Sequence, residues 1–211
     1  MARTSTSSAP AARRTRAVES FKNAAETIGL IESGMALFAV TRGQFSMIDA
    51  ILHTLDCVGP SVLSVWTWTV ADYEIDNLTS LRRDGRITDG TLLIDGAARG
   101  KNAPLIRDWQ GAFGARSVRY VTNHAKIATV EGGGRKVLLR GSMNLNCNPR
   151  FEQLDVTEGG ADFDLVRQIE RECPILRDDA PNSEIWQASR LGDAFTGEQL
   201  AMFGGLRRWA K

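Results

Sequence analysis

The chain contains only two histidines, His53 and His124, so any imidazole chemistry rests on one of them. His53 lies among Phe45, Ile48, Ile51, Leu52 and Leu55, which recur at helical spacing. At roughly 100° per residue it projects about 140° from the centre of that apolar stripe, which predicts a solvent-facing side chain. His124 stands in Asn-His-Ala-Lys, and on a strand residues i and i+2 share a face, so His124 and Lys126 project together. The run from Arg135 to Gly141-Ser142-Met143-Asn144 reads as a strand returning after Gly132-Gly133-Gly134. With a three-residue glycine turn, Lys126 faces Arg140, His124 faces Ser142, and Asn144 projects the same way; a four-residue turn reverses that parity. An imidazole is a competent nucleophile at phosphorus. An ammonium with hydroxyl and carboxamide donors holds the non-bridging oxygens as charge builds. This chemistry calls for no metal and no cofactor.

His124-Ala-Lys126, the acid Glu131 and Gly141-Ser142-Met143-Asn144 resemble the HxK(x)4D…GSxN signature of the phospholipase D superfamily. Glu131 stands where that family has Asp, and the interval to Gly-Ser is a few residues longer, the excess falling in the glycine turn. A Glu131 to Arg135 cross-strand pair explains Glu131 equally well. The resemblance implies that an acid on the next strand supports the histidine; Glu152 and Asp155 both fall where it would be, and Glu152 is preferred. Family members generally need two such motifs, and this sequence has one. The resemblance is therefore to the branch of small bacterial endonucleases in which two subunits each supply one. It implies an isologous homodimer with a composite site, where one His124 attacks phosphorus and the second protonates the leaving oxygen.

The expected activity is that of a metal-independent phosphodiesterase, a nuclease acting on DNA or RNA. A phospholipid-headgroup phosphodiesterase and a non-catalytic nucleic-acid-binding relative are the alternatives. Seven positive residues and one negative lie between Arg116 and Arg150, which predicts a local positive field. Arg140 is a candidate for substrate binding within it, although Arg135, Lys136, Arg140 and Arg150 are equally read as solvated charges. Trp66 and Trp68 share one face of a strand; Trp68 is a candidate for base stacking, against the bland reading of both as core. The glycine triplet is followed by no GK[ST] and reads as a hairpin turn rather than a phosphate loop. Asp95 reads as a cap or turn residue rather than a metal ligand.

These residues need a scaffold, and the rest of the sequence describes one. The 211 residues are 43% hydrophobic and 24% charged with a net charge of +1, the profile of a globular chain. Helical patterns over 17–31, 43–59, 72–85, 102–111 and 161–172 alternate with apolar or β-branched runs at 35–40, 61–70, 91–96 and 152–159 and a hairpin through 121–142. The fold class expected is α/β, a mixed, mostly parallel sheet flanked by helices on both faces, compatible with a phospholipase D-like domain over 17–175. Ligands of such sheets collect at the carboxyl ends of the strands. Residues 1–16, with four arginines and no acid, read as a disordered basic tail, and 176–211 as an extension with a short helix near 197–203. Three unpaired-looking cysteines, no apolar run long enough to span a membrane, and no signal-peptide pattern point to a cytoplasmic protein.

Overall fold

The computed structural model describes residues 14–147 and 149–190. Eight strands form one sheet: β1 (Arg14–Glu19), β2 (Met35–Thr41), β3 (Ser61–Thr67), β4 (Ile87–Asp95), β5 (Val118–Val121), β6 (Lys126–Gly132), β7 (Arg135–Gly141) and β8 (Glu152–Glu158). Their order across the sheet is β1-β2-β8-β7-β6-β3-β4-β5. Among the described residues six α-helices accompany them: α1 (Ala24–Ile28), α2 (Met47–Val58), α3 (Asp72–Arg83), α4 (Ala103–Phe113), α5 (Ala161–Glu172) and α6 (Asn182–Ala188).

The sheet is mixed, but it is not mostly parallel as expected. Four of its seven adjacent pairs are antiparallel and three are parallel. The cause is the placement of two strands. Only β6 and β8 run against the other six, but both lie inside the sheet, so each creates an antiparallel boundary on either side. The six co-directional strands end together, and that common rim also carries the amino ends of β6 and β8.

Residue alternation gives the sheet two different faces. One presents Leu63, Val65, Leu92, Ile94, Ala128, Val130, Val137 and Leu139 to the helices α1 to α4, forming the main core. Ile48, Ile51 and Leu55 of α2 enter it at the spacing that marked the helix in the sequence. The other face is covered by α5, whose Val166 and Ile169 pack on Trp66, Leu93 and Val121. Polar ties reinforce that second layer. The buried Glu170 carboxylate accepts from the Ser64 hydroxyl, from Trp66 Nε1 at 3.1 Å and from the Arg167 guanidinium at 2.5 Å.

The amino-terminal segment differs from the expected tail and helix. Arg14 and Arg16 belong to β1 rather than to a tail, and the helix expected over 17–31 is replaced by the end of β1 and the short α1. Arg16 explains part of the difference, since its guanidinium donates to the Thr27 and Ile28 carbonyls at 2.6 and 2.5 Å and so ties strand to helix. At the other end, α6 is integrated with the domain. Ile185 is fully buried in the main core, Arg99 donates to the Ala180 carbonyl at 2.6 Å, and the Tyr120 hydroxyl donates to Asp178 at 2.7 Å. The helix expected near 197–203 lies outside the described residues.

Candidate active site

The hairpin that carries the motif turns more tightly than the sequence reading assumed. Gly132 pairs with Arg135 inside the ladder, leaving a two-residue turn of Gly133 and Gly134 with φ of +55° and +74°. Positive φ at both central positions matches the strand twist, and glycine adopts it at little cost. The register therefore shifts by one. Lys126 pairs with Gly141, Ile127 with Arg140, and Glu131 with Lys136. Lys126 and Arg140 consequently lie on opposite faces, and the expected pairings of Lys126 with Arg140, His124 with Ser142 and Glu131 with Arg135 are not formed.

The site is assembled at the sheet rim instead of on a strand face. Lys126 begins β6, beside the end of β7 at Gly141, and Ser142 follows immediately. A side chain at Gly141 would collide with the Gln153 carbonyl, so this glycine is what lets β8 approach β7 there. Ser142 then bonds across to β8: its N–H donates to the Gln153 carbonyl at 3.1 Å, and its oxygen accepts the Gln153 N–H at 2.9 Å. Its hydroxyl proton goes to the Glu152 carboxylate in a short hydrogen bond. Holding a phosphoryl oxygen with Ser142 thus requires that proton to be exchanged from Glu152 to the ligand. Asn144, half-buried, lies where the chain meets α2, its carbonyl accepting Met47 N–H at 3.1 Å while that of Leu145 accepts Ile48 N–H at 3.3 Å. These bonds occupy the first N–H groups of α2, so its amino end is not itself an anion site.

His124 is exposed, in the loop between β5 and β6, and two buried residues fix that loop. Asn123 donates from Nδ2 to the Thr67 carbonyl at 3.0 Å and to the Ala125 carbonyl at 3.1 Å, and accepts the Ala125 N–H at 3.0 Å. Its own N–H donates to Asp95 at 2.7 Å. The other Asp95 oxygen accepts Ala97 N–H at 2.8 Å, capping the single 3-10 turn at Gly96–Ala98, the cap role read from the sequence. Lys126 closes the arrangement by donating from Nζ to the His124 carbonyl at 3.0 Å, which leaves two ammonium protons for a ligand. Asn123 was missed by the sequence reading; its signature is the propensity of Asn to bond the backbone two residues on, as it does here to Ala125.

The other sequence candidates separate from this cluster. Glu131 is at the opposite end of β6, about 17 Å along the strand from Lys126 at about 3.4 Å per residue. Asp155 pairs with Arg140 and Phe38 within the sheet, on the face opposite Leu154, while Glu152 is at the rim, joined to Ser142. Among the described residues, no carboxylate hydrogen-bonds the His124 ring. Arg140 is 3.5 Å from Asp162 on α5. Trp66 is core, but β3 ends at Thr67, so Trp68 lies beyond the strand and is 48% exposed at the rim. His53 does not simply face solvent: it is half-buried, with Nε2 2.7 Å from the Gly29 carbonyl, because the end of α1 packs over that side of α2.

The expected concentration of positive charge around the site is dispersed by the fold. Arg135 and Lys136 are at the far end of the hairpin, and Lys136 pairs with Asp164 at 2.8 Å, a hydrogen bond that raises its pKa. Arg119 is partly buried in β5, and that burial lowers its pKa. Lys126 stays at the rim, with Arg150 two residues before β8 and Arg42 one residue past β2. Among the described residues no group of three or more His, Cys, Asp or Glu side chains is placed to hold a metal ion, and no helix is long and apolar enough to cross a membrane. No family model matches the chain, and no curated protein matches it.

Proposed function

We propose that the protein is a metal-independent phosphodiesterase, a nuclease that hydrolyses DNA or RNA through a phosphohistidine at a site completed by a second copy of the chain. The observation that carries this reading is the gathering of His124, Lys126, Ser142 and Glu152 along one rim, with His124 exposed on a loop braced from beneath. In the proposed reaction an imidazole nitrogen of His124 attacks phosphorus. A P–N bond forms as the P–O bond to the leaving alcohol breaks, and an imidazolium protonates the departing oxygen. Water then attacks phosphorus, its proton passes to the now neutral imidazole, and the P–N bond breaks. Lys126, Asn144 and, after exchange from Glu152, Ser142 hold the non-bridging oxygens.

The reaction needs two imidazoles, and the second histidine of the chain is poorly placed for it. His53 is hydrogen-bonded to the Gly29 carbonyl, six residues into α2 from Met47, about 9 Å along the helix axis from the end that meets Asn144. The proton donor in this reading is His124 of the partner subunit, in an isologous dimer. Incubating wild type and His124→Ala with labelled DNA, RNA and a simple phosphodiester, all in excess EDTA, tests the activity. Cleavage by wild type alone is expected; cleavage abolished by the chelator, or equal cleavage by the variant, overturns the reading.

A further inference from the structure

Three large aromatic side chains are exposed at the rim that carries the site. Phe21, following β1, is 64% exposed; Phe151, preceding Glu152, is 66% exposed; and Trp68, following β3, is 48% exposed. Phe21 and Phe151 are not an oily patch. The Arg42 guanidinium, one residue past β2, is 3.9 Å from the Phe151 ring centroid and 5.4 Å from that of Phe21. A salt bridge to Glu19 at 2.7 Å orients it. The result is a fixed platform of two rings and a planar cation. Trp68 is on the other flank, joined to the His124 loop through the Thr67 carbonyl that Asn123 grips.

In the order β1-β2-β8-β7-β6-β3, Phe151 at the start of β8 is three strand spacings from Trp68 past the end of β3, about 14 Å at about 4.8 Å each, and Phe21 past the end of β1 is five, about 24 Å, with Ser142 and Lys126 between Phe151 and Trp68. A ligand along this rim meets stacking surfaces on both sides of a phosphate-binding centre, with the charges of Arg42, Lys126 and the exposed Arg150 interspersed. Rings separated by charged groups are the pattern of a polyanion whose flat bases are accessible. In a duplex the base faces are already covered by their neighbours, so only its phosphates find partners here.

We propose that this rim binds single-stranded nucleic acid in preference to duplex, with unpaired bases stacked on the Phe21–Arg42–Phe151 platform on one side of the site and on Trp68 on the other. This inference rests on the phosphodiesterase reading for the position of the phosphate. It is tested by fluorescence anisotropy with one labelled oligonucleotide, single-stranded and annealed to its complement, at a fixed low salt concentration, using wild type, Phe151→Ala, Phe151→Leu and Trp68→Ala. Wild type is expected to bind the single strand more tightly. Each variant is expected to lose about 5- to 150-fold in single-strand affinity, the range for one stacked base, with little change toward duplex. Phe151→Leu keeps apolar bulk while removing the ring face, so its loss separates stacking from folding, which circular dichroism also checks.

Equal or tighter duplex binding by wild type overturns the inference, as does unaltered single-strand affinity in the variants. So does a variant that instead loses binding to phosphatidylglycerol vesicles, or one whose mass by light scattering departs from that of wild type, since the replaced ring then serves a lipid surface or the contact between copies rather than a base. Hydrolysis of a base-free phosphodiester by wild type is read in parallel. Strand discrimination without that hydrolysis leaves the binding surface standing and removes the phosphodiesterase reading; hydrolysis without discrimination does the reverse.

Discussion

The Asp95 carboxylate accepts the backbone N–H of Asn123 at 2.7 Å, so a buried residue at the end of β4 fixes the position next to His124. The Asn123 side chain extends that brace to β3 and to Ala125. Asn123→Ala removes the side-chain bonds and leaves the buried Thr67 carbonyl without this partner, a loss of about 1–3 kcal/mol. Urea unfolding is expected to show it. Turnover per folded molecule is expected to fall by about 10- to 100-fold, because the loop no longer holds its geometry. Asn123→Asp keeps the acceptor for the Ala125 N–H but sets a buried carboxylate oxygen against the Thr67 and Ala125 carbonyls, and is expected to be no more stable than Asn123→Ala. Unchanged stability and turnover in Asn123→Ala would show that the brace is dispensable.

Glu170 gives a prediction that concerns stability alone. Replacing it with Ala leaves Arg167, whose side chain is 16% exposed, without its carboxylate, and strips Ser64 and Trp66 of their acceptor. Breaking a buried pair on one side costs about 3–5 kcal/mol. The urea midpoint of Glu170→Ala is expected to fall accordingly, and a shift equivalent to less than about 1 kcal/mol would contradict this account of how α5 is held.

The two turn glycines are expected to differ. At both, an alanine must adopt positive φ, a cost of about 1–2 kcal/mol. At Gly133 the added Cβ also meets the Val58 carbonyl oxygen at 2.5 Å, whereas at Gly134 it meets nothing within 4 Å. Thermal unfolding should therefore rank Gly133→Ala below Gly134→Ala, with Gly134→Asn nearest wild type. Equal melting of the two alanine variants would contradict the observed register.

Tyr120 provides a pH test. Burial first, then its hydrogen bond to Asp178, raises the phenol above its ordinary value near 10. Above that pH the unfolded chain releases the phenolic proton while the folded chain keeps it, so the unfolded state binds fewer protons and stability falls as pH rises. This contribution is present below the unfolded pKa and disappears as pH climbs toward the folded one, with a limiting slope of about 1.4 kcal/mol per pH unit. Tyr120→Phe should flatten the alkaline limb of stability measured by urea unfolding at successive pH values. An identical limb in the variant would contradict it.

How far the sequence could be read depended on whether the information was local. The α2 stripe, the apolar β4 and the hairpin were visible because periodicity and turn chemistry reside in consecutive residues. The register was missed because three glycines permit two turn lengths, and only the pairing of Gly132 with Ser61 of β3 and with Arg135 selects one. Sheet polarity failed for a related reason, since nothing local says that β8 inserts between β2 and β7. His124, Lys126, Ser142 and Glu152 stay along one rim all the same, because they lie at or just beyond strand ends, where a shift of register by one residue moves a residue along the rim without scattering the group. Asp155 and Arg140 lie inside the strands, and there the same shift decides which face a side chain takes.

The role proposed for His124 is that of the nucleophile at phosphorus. The most direct measurement is the stereochemical course of hydrolysis of a phosphodiester made chiral at phosphorus, followed with wild type in EDTA. Two in-line displacements, one by the imidazole and one by water, predict net retention of configuration, accompanied by a phosphoryl adduct on the His124 peptide when the reaction is quenched early. Net inversion would mean that water attacks phosphorus directly, and would contradict the role assigned to His124.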